Sequence, residues 1–429
     1  MIVVACSLCV CVALGIIGPV MAAWEPGEPV VTYGHGPGGP TKGPGGERIP
    51  LTDAWLVQLK DGGFNTVWAN TPEELDLVAK HGLRAIYFLD PDTMKCGGDP
   101  NDPAFVEWLA ERIDRVKGHS ALYVYALYDE PPTGDFARLA RLKEWVRRRD
   151  PRHAAWINLL GVYCKNEQLG TKGERLRAYW EYLRLFGETV RPDFITYDHY
   201  QFRTDGDTKD YHLNLQMARQ SAAMQGIPFW NGVQACTWVP GDAPSPKSPR
   251  IPGVDEMRYL VYTTAAYGAQ GIYYYVYCAH GHFGAIVEAD GTPGEKYEAL
   301  KTPNREFVSI VRELSPLRFI GAYVQGVCPF GVTPYGETAL LKIAPETTTS
   351  ELQPLAELTD TTLVTRFDAP GKPTHLMVVN CDYRKDRTLH VEAPSVTERF
   401  DALKRTWSSV GVAFDLVLMR GSGVLLRLP

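Results

Sequence analysis

Two short stretches carry carboxyl groups where they could do chemistry. In Tyr123-Val124-Tyr125-Ala126-Leu127-Tyr128-Asp129-Glu130-Pro131 an apolar, aromatic run ends abruptly in two acids and a proline. In Tyr197-Asp198-His199-Tyr200 a third acid sits among aromatic residues and a histidine. Aromatic and β-branched residues favour a strand and Pro131 stops it, so the first stretch reads as a buried strand delivering Glu130 to a cleft. A strand followed by an ordinary acidic turn is the alternative, because Asp and Pro are common turn formers. A carboxyl that donates a proton near neutral pH has to be kept protonated, by burial among apolar groups or by a neighbouring negative charge. Asp129 and the aromatic neighbours offer both, although regular strand alternation points Asp129 and Glu130 to opposite sides.

The ends of the other apolar runs add a consistent set of side chains: Tyr33 and His35, Trp68 and Asn70, Asp90 and Asp92, Asn158, Tyr197 to Tyr200, Asn231 and Gln234, Tyr277 and His280. Asn, Gln, His and Asp read hydroxyl groups and Trp and Tyr stack on pyranose faces, so such a ring is suited to a polyol. Each member also has a plainer reading. Asp198 is a candidate second carboxylate or a partner that orients His199 or Tyr200. Asp90 and Asp92 form an Asp-Pro-Asp sequence that is equally a turn, and Glu288 and Asp290 fall in a Gly/Pro-rich surface turn. A histidine at a strand end, whether His35, His199 or His280, is more often satisfied by its neighbours than engaged with a ligand.

These residues need a frame to bring them together. The candidate strands are Val30–Tyr33, Asn65–Ala69, Arg84–Leu89, Leu122–Tyr128, Ala154–Leu159, Phe194–Tyr200, Pro228–Gln234 and Gly271–Tyr277. Helical patterns separate them: Pro50–Lys60, Thr71–His81, Pro103–Val116, Asp135–Arg149, Glu174–Val190, Leu213–Gln225 and Val254–Ala269, with a last at Pro303–Leu314. Eight strand-helix rounds in roughly 250 residues have the size of a (β/α)8 barrel, whose chemistry sits at the C-terminal ends of its strands. A doubly wound open sheet is the alternative. From Gly321 onward helical periodicity vanishes, and Thr361–Phe367, His375–Val379, Thr388–Val391 and Val424–Leu428 read as strands of a small β sandwich. The expected organisation is therefore a barrel over 24–320 and an all-β domain over 321–429. The Thr/Glu-rich stretch 345–360 reads as an exposed loop, and the Pro/Ser/Lys-rich stretch 237–253, after strand seven, as a cleft wall, a lid or a tether.

Residues 1–23 contain no charged side chain and end in small residues before Trp24, which predicts a secretory leader; a membrane anchor is the alternative. A secreted or periplasmic location without stable membrane insertion follows from the leader. A net charge of −6 over 429 residues, with no basic run, gives no reason to expect a nucleic-acid partner. The six cysteines beyond the leader are widely spread and lack zinc spacing, so neither a metal nor a cofactor is expected, and no disulfide pairing can be deduced.

The strand-four ending Tyr-x-x-Tyr-Asp-Glu-Pro, the strand-six Tyr-Asp-His-Tyr, the passage Glu256-Met257-Arg258 to Tyr267-Gly268-Ala269-Gln270-Gly271-Ile272-Tyr273 and a terminal β domain resemble the clan A (β/α)8 glycoside hydrolases. The resemblance covers roughly residues 28–320 and implies hydrolysis of a poly- or oligosaccharide, with Glu130 at the acid/base position after strand four. Two positions depart from the clan. Asp129 replaces the usual Asn, and Gln234 stands where the nucleophilic Glu follows strand seven. An amide cannot act as a nucleophile, so the second carboxylate has to come from elsewhere, Asp198 before Asp90, in an inverting or otherwise atypical mechanism. The competing expectations are a degenerate barrel that binds carbohydrate without cleaving it, which Gln234 favours, and a structural scaffold.

Overall fold

The structure, a computed structural model, describes residues 24–239, 248–329, 331–336, 340–345 and 360–429. The expected leader lies outside the described residues, as do most of the stretch 345–360 and the middle of the stretch 237–253.

Eight strands, β1 (Val30–Tyr33), β2 (Thr66–Ala69), β3 (Arg84–Phe88), β4 (Leu122–Asp129), β5 (Ala154–Leu159), β6 (Ile195–His199), β7 (Phe229–Gln234) and β8 (Gly271–Tyr275), pair in parallel along one sheet from β2 through β8 to β1. The chain between and after them carries α1 (Asp53–Asp61), α2 (Pro72–Lys80), α3 (Pro103–Val116), α4 (Phe136–Arg149), a short α5 (Asn166–Leu169), α6 (Arg175–Val190), α7 (Tyr211–Gln225), α8 (Val254–Ala266) and α9 (Glu295–Leu314). The seam between β1 and β2 closes the barrel without a regular ladder. The Asn65 N–H donates to the Val31 carbonyl at 3.2 Å, and the Asn65 side-chain oxygen accepts from the Val31 N–H at 3.0 Å. The fold is a (β/α)8 barrel rather than an open sheet.

Local chemistry sets the element ends. Thr71 caps α2 by accepting from the Glu74 N–H at 3.2 Å, with Pro72 at the first helical position. Gly226 ends α7 at φ +67°, a conformation that costs glycine nothing. The last barrel helix differs from its expectation. It starts at Glu295 and carries Pro303 inside, because Gly294 and the acidic residues Glu295 and Glu298 form a good N-terminus two turns earlier. The hydrogen bond lost at Pro303 is offset by packing, with Pro303 and Asn304 both buried and Asn304 donating to the Gly62 carbonyl at 2.8 Å.

The second sheet begins with β9 (Arg318–Gln325) and continues with β10 (Thr333–Pro334), β11 (Lys342–Pro345), β12 (Thr362–Asp368), β13 (Thr374–Asn380), β14 (Arg387–Asp401), β15 (Thr406–Leu418) and β16 (Gly423–Leu428). It is mostly antiparallel, in the order β10-β9-β12-β13-β16-β14-β11, with β15 on the free side of β14. Alternate residues divide its loyalties. Val364, Leu376, Val378, Val424 and Leu426 face Leu389, Val391, Leu416 and Leu418 in a core of the domain's own. Leu363, Phe367, Met377, Val379 and Leu425 belong instead to the core of the barrel. One continuous apolar core therefore joins the two units, and contacts such as the Tyr267–Phe319 stack at 6.2 Å run across it.

Aromatic side chains fill the barrel interior. Near the N-terminal ends of the strands Trp230 stacks on Phe194 at 4.3 Å and on Tyr123 at 6.2 Å. Higher up Trp156 packs against Tyr273 at 5.9 Å and Trp68 at 6.3 Å. Gly232 makes this possible, since a Cβ built on it would overlap the Tyr273 ring. Gly232→Ala is accordingly expected to destabilise the protein by about 1–3 kcal/mol in urea unfolding. Gly134→Ala, whose added methyl meets nothing, should stay within about 0.5 kcal/mol of the parent. Equal effects of the two substitutions would contradict this packing.

Candidate active site

Two backbone irregularities at the end of β4 decide where its acids go. The register of β4 against β5 skips Leu127 between Ala126 and Tyr128, so one extra residue is inserted and the alternation resets. Tyr128 then turns outward, where its hydroxyl meets Asp135 at 3.1 Å, and Asp129 faces the barrel mouth. Glu130 follows at φ +51°, in the left-handed region that a residue with a side chain rarely adopts, while its N–H donates to the Asn158 carbonyl at 2.9 Å. Such a conformation costs on the order of 1–3 kcal/mol and persists only where surrounding structure enforces it. Here Pro131 follows, its carbonyl accepting from the Tyr182 hydroxyl at 2.8 Å. The result is that both Asp129 and Glu130 line one cavity, which regular alternation forbids.

That cavity, about 270 Å3, opens at the C-terminal ends of the strands, and Asp198 of β6 joins the two acids in it. Asn158 of β5 organises the three. Its Nδ2 donates to Asp129 Oδ1 at 3.1 Å and to Asp198 Oδ2 at 2.9 Å, while its Oδ1 accepts from the Tyr273 hydroxyl at 2.7 Å. The orientation of the amide is thereby dictated, because two carboxylates need donors and a phenol needs an acceptor. Asp198 Oδ1 also accepts from the Tyr163 hydroxyl at 2.9 Å. The adjoining wall is aromatic: Tyr200 lies 4.9 Å from Tyr275 and 5.4 Å from Trp238, ring centre to ring centre.

Burial raises all three acids, and repulsion from neighbouring carboxylates adds to it at Glu130 and Asp198. Glu130 is pushed up to about 8, first by desolvation and then by the charges of Asp198 and Asp129, with Lys95 opposing. Asp198 is raised chiefly by burial and by Asp129, against the hydrogen bonds from Asn158, Tyr163 and Tyr200 that favour its ionised form. Asp129 is raised by burial, and the Asn158 amide opposes. The donors around Asp198 make it the better place for a negative charge, and Glu130 the better place for a proton. His35 also lines the cavity, but burial and the neighbouring His282 lower it to about 3, so it is neutral there.

Of the residues expected at the site, Glu130, Asp198, Asp129, Asn158, His35 and Tyr200 line the cavity. The others do not. Asp90 accepts from the Asp92 N–H at 3.0 Å in a turn outside the cavity, which removes it as the second carboxylate. Tyr33 donates to the Pro37 carbonyl at 2.8 Å, and Trp68 is buried among Tyr33, Phe88 and Trp156. Asn70 bonds to the Pro91 carbonyl, Tyr277 to Gln58 at 2.7 Å, and His280 is exposed. His199 and Asn231 point outward from their strands, to Asn214 on α7 and Thr264 on α8. Gln234 is buried and spends its amide on backbone: Oε1 accepts from the Phe202 N–H at 2.8 Å, and Nε2 donates to the carbonyls of Arg250 at 2.7 Å and Phe202 at 3.1 Å. The sequence reading missed Trp156, Tyr163, Arg203, Trp238, Tyr273 and Tyr275. Period two through β5 and β8 could have found Trp156 and the two tyrosines, since they share the face of Asn158 and Gly271. A larger groove of about 500 Å3 at the opposite end of the barrel has no carboxyl in its lining. Among the described residues no group of His, Cys, Asp and Glu is placed to hold a metal ion.

The raised acid has a consequence for stability. Folding lifts the Glu130 pKa from 4.5 to about 8, so the folded state favours the proton. Below about 4.5 the group is protonated folded or unfolded and costs nothing; as pH rises to about 8 the unfolded chain gains from ionising and the folded one does not. Glu130→Gln should therefore melt at the same temperature as the parent in acid and at a progressively higher one as pH rises. A pH-independent difference, or a loss of stability near pH 8, would contradict the burial of this carboxyl.

No protein-family model and no curated protein sequence matches the chain. Among solved structures it is similar to a family 39 glycoside hydrolase from the gut symbiont Bacteroides cellulosilyticus WH2, at 11% identity and a TM-score of 0.49, over 95% of this chain and 82% of that one. It is also similar to a GH2 β-galacturonidase from Eisenbergiella tayi, at 15% identity and a TM-score of 0.45, over 65% of this chain and 51% of that one. A β-glucuronidase of an uncultured Clostridium gives 13% identity and a TM-score of 0.45, over 65% and 50%. The chain spans about half the length of the latter two. Likeness at this level assigns neither a substrate nor a reaction to this chain.

Proposed function

We propose that the protein is a secreted glycoside hydrolase acting on a poly- or oligosaccharide, with Glu130 as general acid and Asp198 as the base or nucleophile. The observation that carries this reading is the convergence of Asp129, Glu130 and Asp198 in one aromatic-walled cavity at the C-terminal face of a (β/α)8 barrel. Glycosidic cleavage needs a proton delivered to the leaving oxygen and a carboxylate beside the anomeric carbon. The raised Glu130 suits the first task and the hydrogen-bonded Asp198 the second. Asp129 fits the role of a group that accepts a sugar hydroxyl while keeping Glu130 protonated. Tyr200, Trp238 and Tyr275 offer faces for a pyranose ring.

Glu130→Gln should lower turnover of natural glycosides by about 10²–10⁴-fold and spare activated aryl glycosides, whose leaving groups need little protonation. Asp198→Asn should abolish both. Equal losses in Glu130→Gln on the two substrate types would remove Glu130 as the acid. The pH profile should carry an alkaline limb near pH 8, where Glu130 loses its proton, and that limb should disappear for activated substrates. A rate that rises through pH 8 would reverse the assignment.

A second reading, a barrel that binds carbohydrate without cleaving it, is favoured by Gln234, whose amide at the end of β7 is tied to backbone where the resembling enzymes carry a nucleophile. Calorimetry against a glycan panel, with product analysis after long incubation, separates the two.

A further inference from the structure

The wall of the cavity is held from the C-terminal domain. Tyr200 and Arg203 line the cavity, and Phe202 between them is pinned on both backbone groups by the Gln234 amide. The segment Ser248–Arg250 lies alongside: the Arg250 N–H donates to the Phe202 carbonyl at 3.1 Å, the Thr204 N–H to the Ser248 carbonyl at 3.0 Å, and the Arg250 carbonyl accepts from Gln234. Thr237, next to the lining residue Trp238, donates to the Pro249 carbonyl at 2.6 Å. These two short segments form one layer, and the Arg250 side chain fastens it. Its guanidinium lies 4.9 Å over the Phe202 ring and bonds Glu256 at the start of α8 through two nitrogens, at 2.8 and 2.6 Å. It also bonds Asp207 Oδ1 at 3.1 Å.

The remaining oxygen of Asp207 accepts from the hydroxyl of Tyr383, which belongs to the β domain. Tyr383 stands on the turn after β13, and that turn is rigidly built. Buried Asn380 accepts from the Asp382 N–H at 3.0 Å and donates to the Lys385 carbonyl at 2.8 Å, and Asp382 accepts from the Arg384 N–H at 2.9 Å. The Tyr383 ring packs against Tyr259 at 5.5 Å and Phe202 at 6.0 Å. A chain of direct contacts therefore runs from a turn in the second domain, through Asp207 and Arg250, to the backbone that carries Tyr200 and Arg203.

We propose that Tyr383 is a positioning residue of the cavity, so that the β domain is a working part of the carbohydrate site and not a separate appendage. The functional half of this inference rests on the proposed glycosidase reading; the structural half does not. A charge-assisted hydrogen bond to a half-buried carboxylate is the kind that fixes a geometry. Losing it frees Asp207 to move with Arg250 and lets the aromatic wall drift.

The experiment uses the full chain and the variants Tyr383→Phe and Asp207→Asn, read by amide hydrogen exchange resolved to peptides. Tyr383→Phe should speed exchange in 200–204 and 248–250 by roughly 2- to 10-fold, the loss of one hydrogen bond, while β12, β13 and β16 stay as protected as in the parent. Asp207→Asn should do the same, and the double variant should add little. Unchanged exchange at 200–204 and 248–250 would overturn the proposal, as would faster exchange spread evenly through the β domain, which would mark a general loss of stability. On whichever glycan the parent cleaves, Tyr383→Phe should raise KM by a similar factor with kcat nearly unchanged, and an unaltered KM would overturn the positioning role. If the parent cleaves no glycan in the panel, the glycosidase reading fails while the exchange result still decides whether Tyr383 holds the wall.

Discussion

Three carboxyl groups share one small cavity, and a single amide stands between two of them. Asn158 donates to Asp129 and Asp198 at once and is itself oriented by Tyr273 from across the barrel. Without donors so placed, burial would push Asp198 further toward its neutral form. With them, negative charge settles toward Asp198 and the proton toward Glu130. That separation of charge and proton follows from where the donors of Asn158, Tyr163 and Tyr200 point.

Much of the surrounding architecture serves that amide. Tyr273 reaches it because Gly232 on the neighbouring strand leaves room for the ring. The Cα of Gly161, beyond β5, lies so close to the Asp198 carbonyl that a side chain there would collide with it. Asp129 reaches the amide because the register of β4 shifts at Leu127, and Glu130 completes the group in a backbone conformation that only a fixed environment holds. At the end of β4 the geometry of the site outweighs local backbone preference.

The second domain takes part in the same way. It shares the apolar core of the barrel through one face of its sheet and keeps a core of its own on the other. It reaches toward the cavity through the Tyr383 hydroxyl to Asp207, a contact that ties the βα loops after β6 and β7 to a rigid turn. Gln234 belongs to this layer. Its bonds are those of a structural brace.

Much was legible in the sequence. Eight apolar runs alternating with amphipathic segments have the number and length of a (β/α)8 barrel, and capping residues such as Thr71 and Gly226 mark where helices start and stop. Glu130 and Asp198 were legible as acids at strand ends, where chain direction alone places them at the mouth. The tertiary structure decided which strand-end residues converge. His199 and Asn231 sit one residue out of phase and face helices, whereas Trp156, Tyr273 and Tyr275 sit in phase and face the cavity. Strand register and a one-residue bulge set that phase, and both depend on neighbouring strands. The partnership of Asp198 with Glu130, the exclusion of Asp90 and the bracing by Tyr383 are contacts between segments far apart in the chain. Composition and spacing carry local preference, and only closure of the barrel brings those segments within hydrogen-bonding distance.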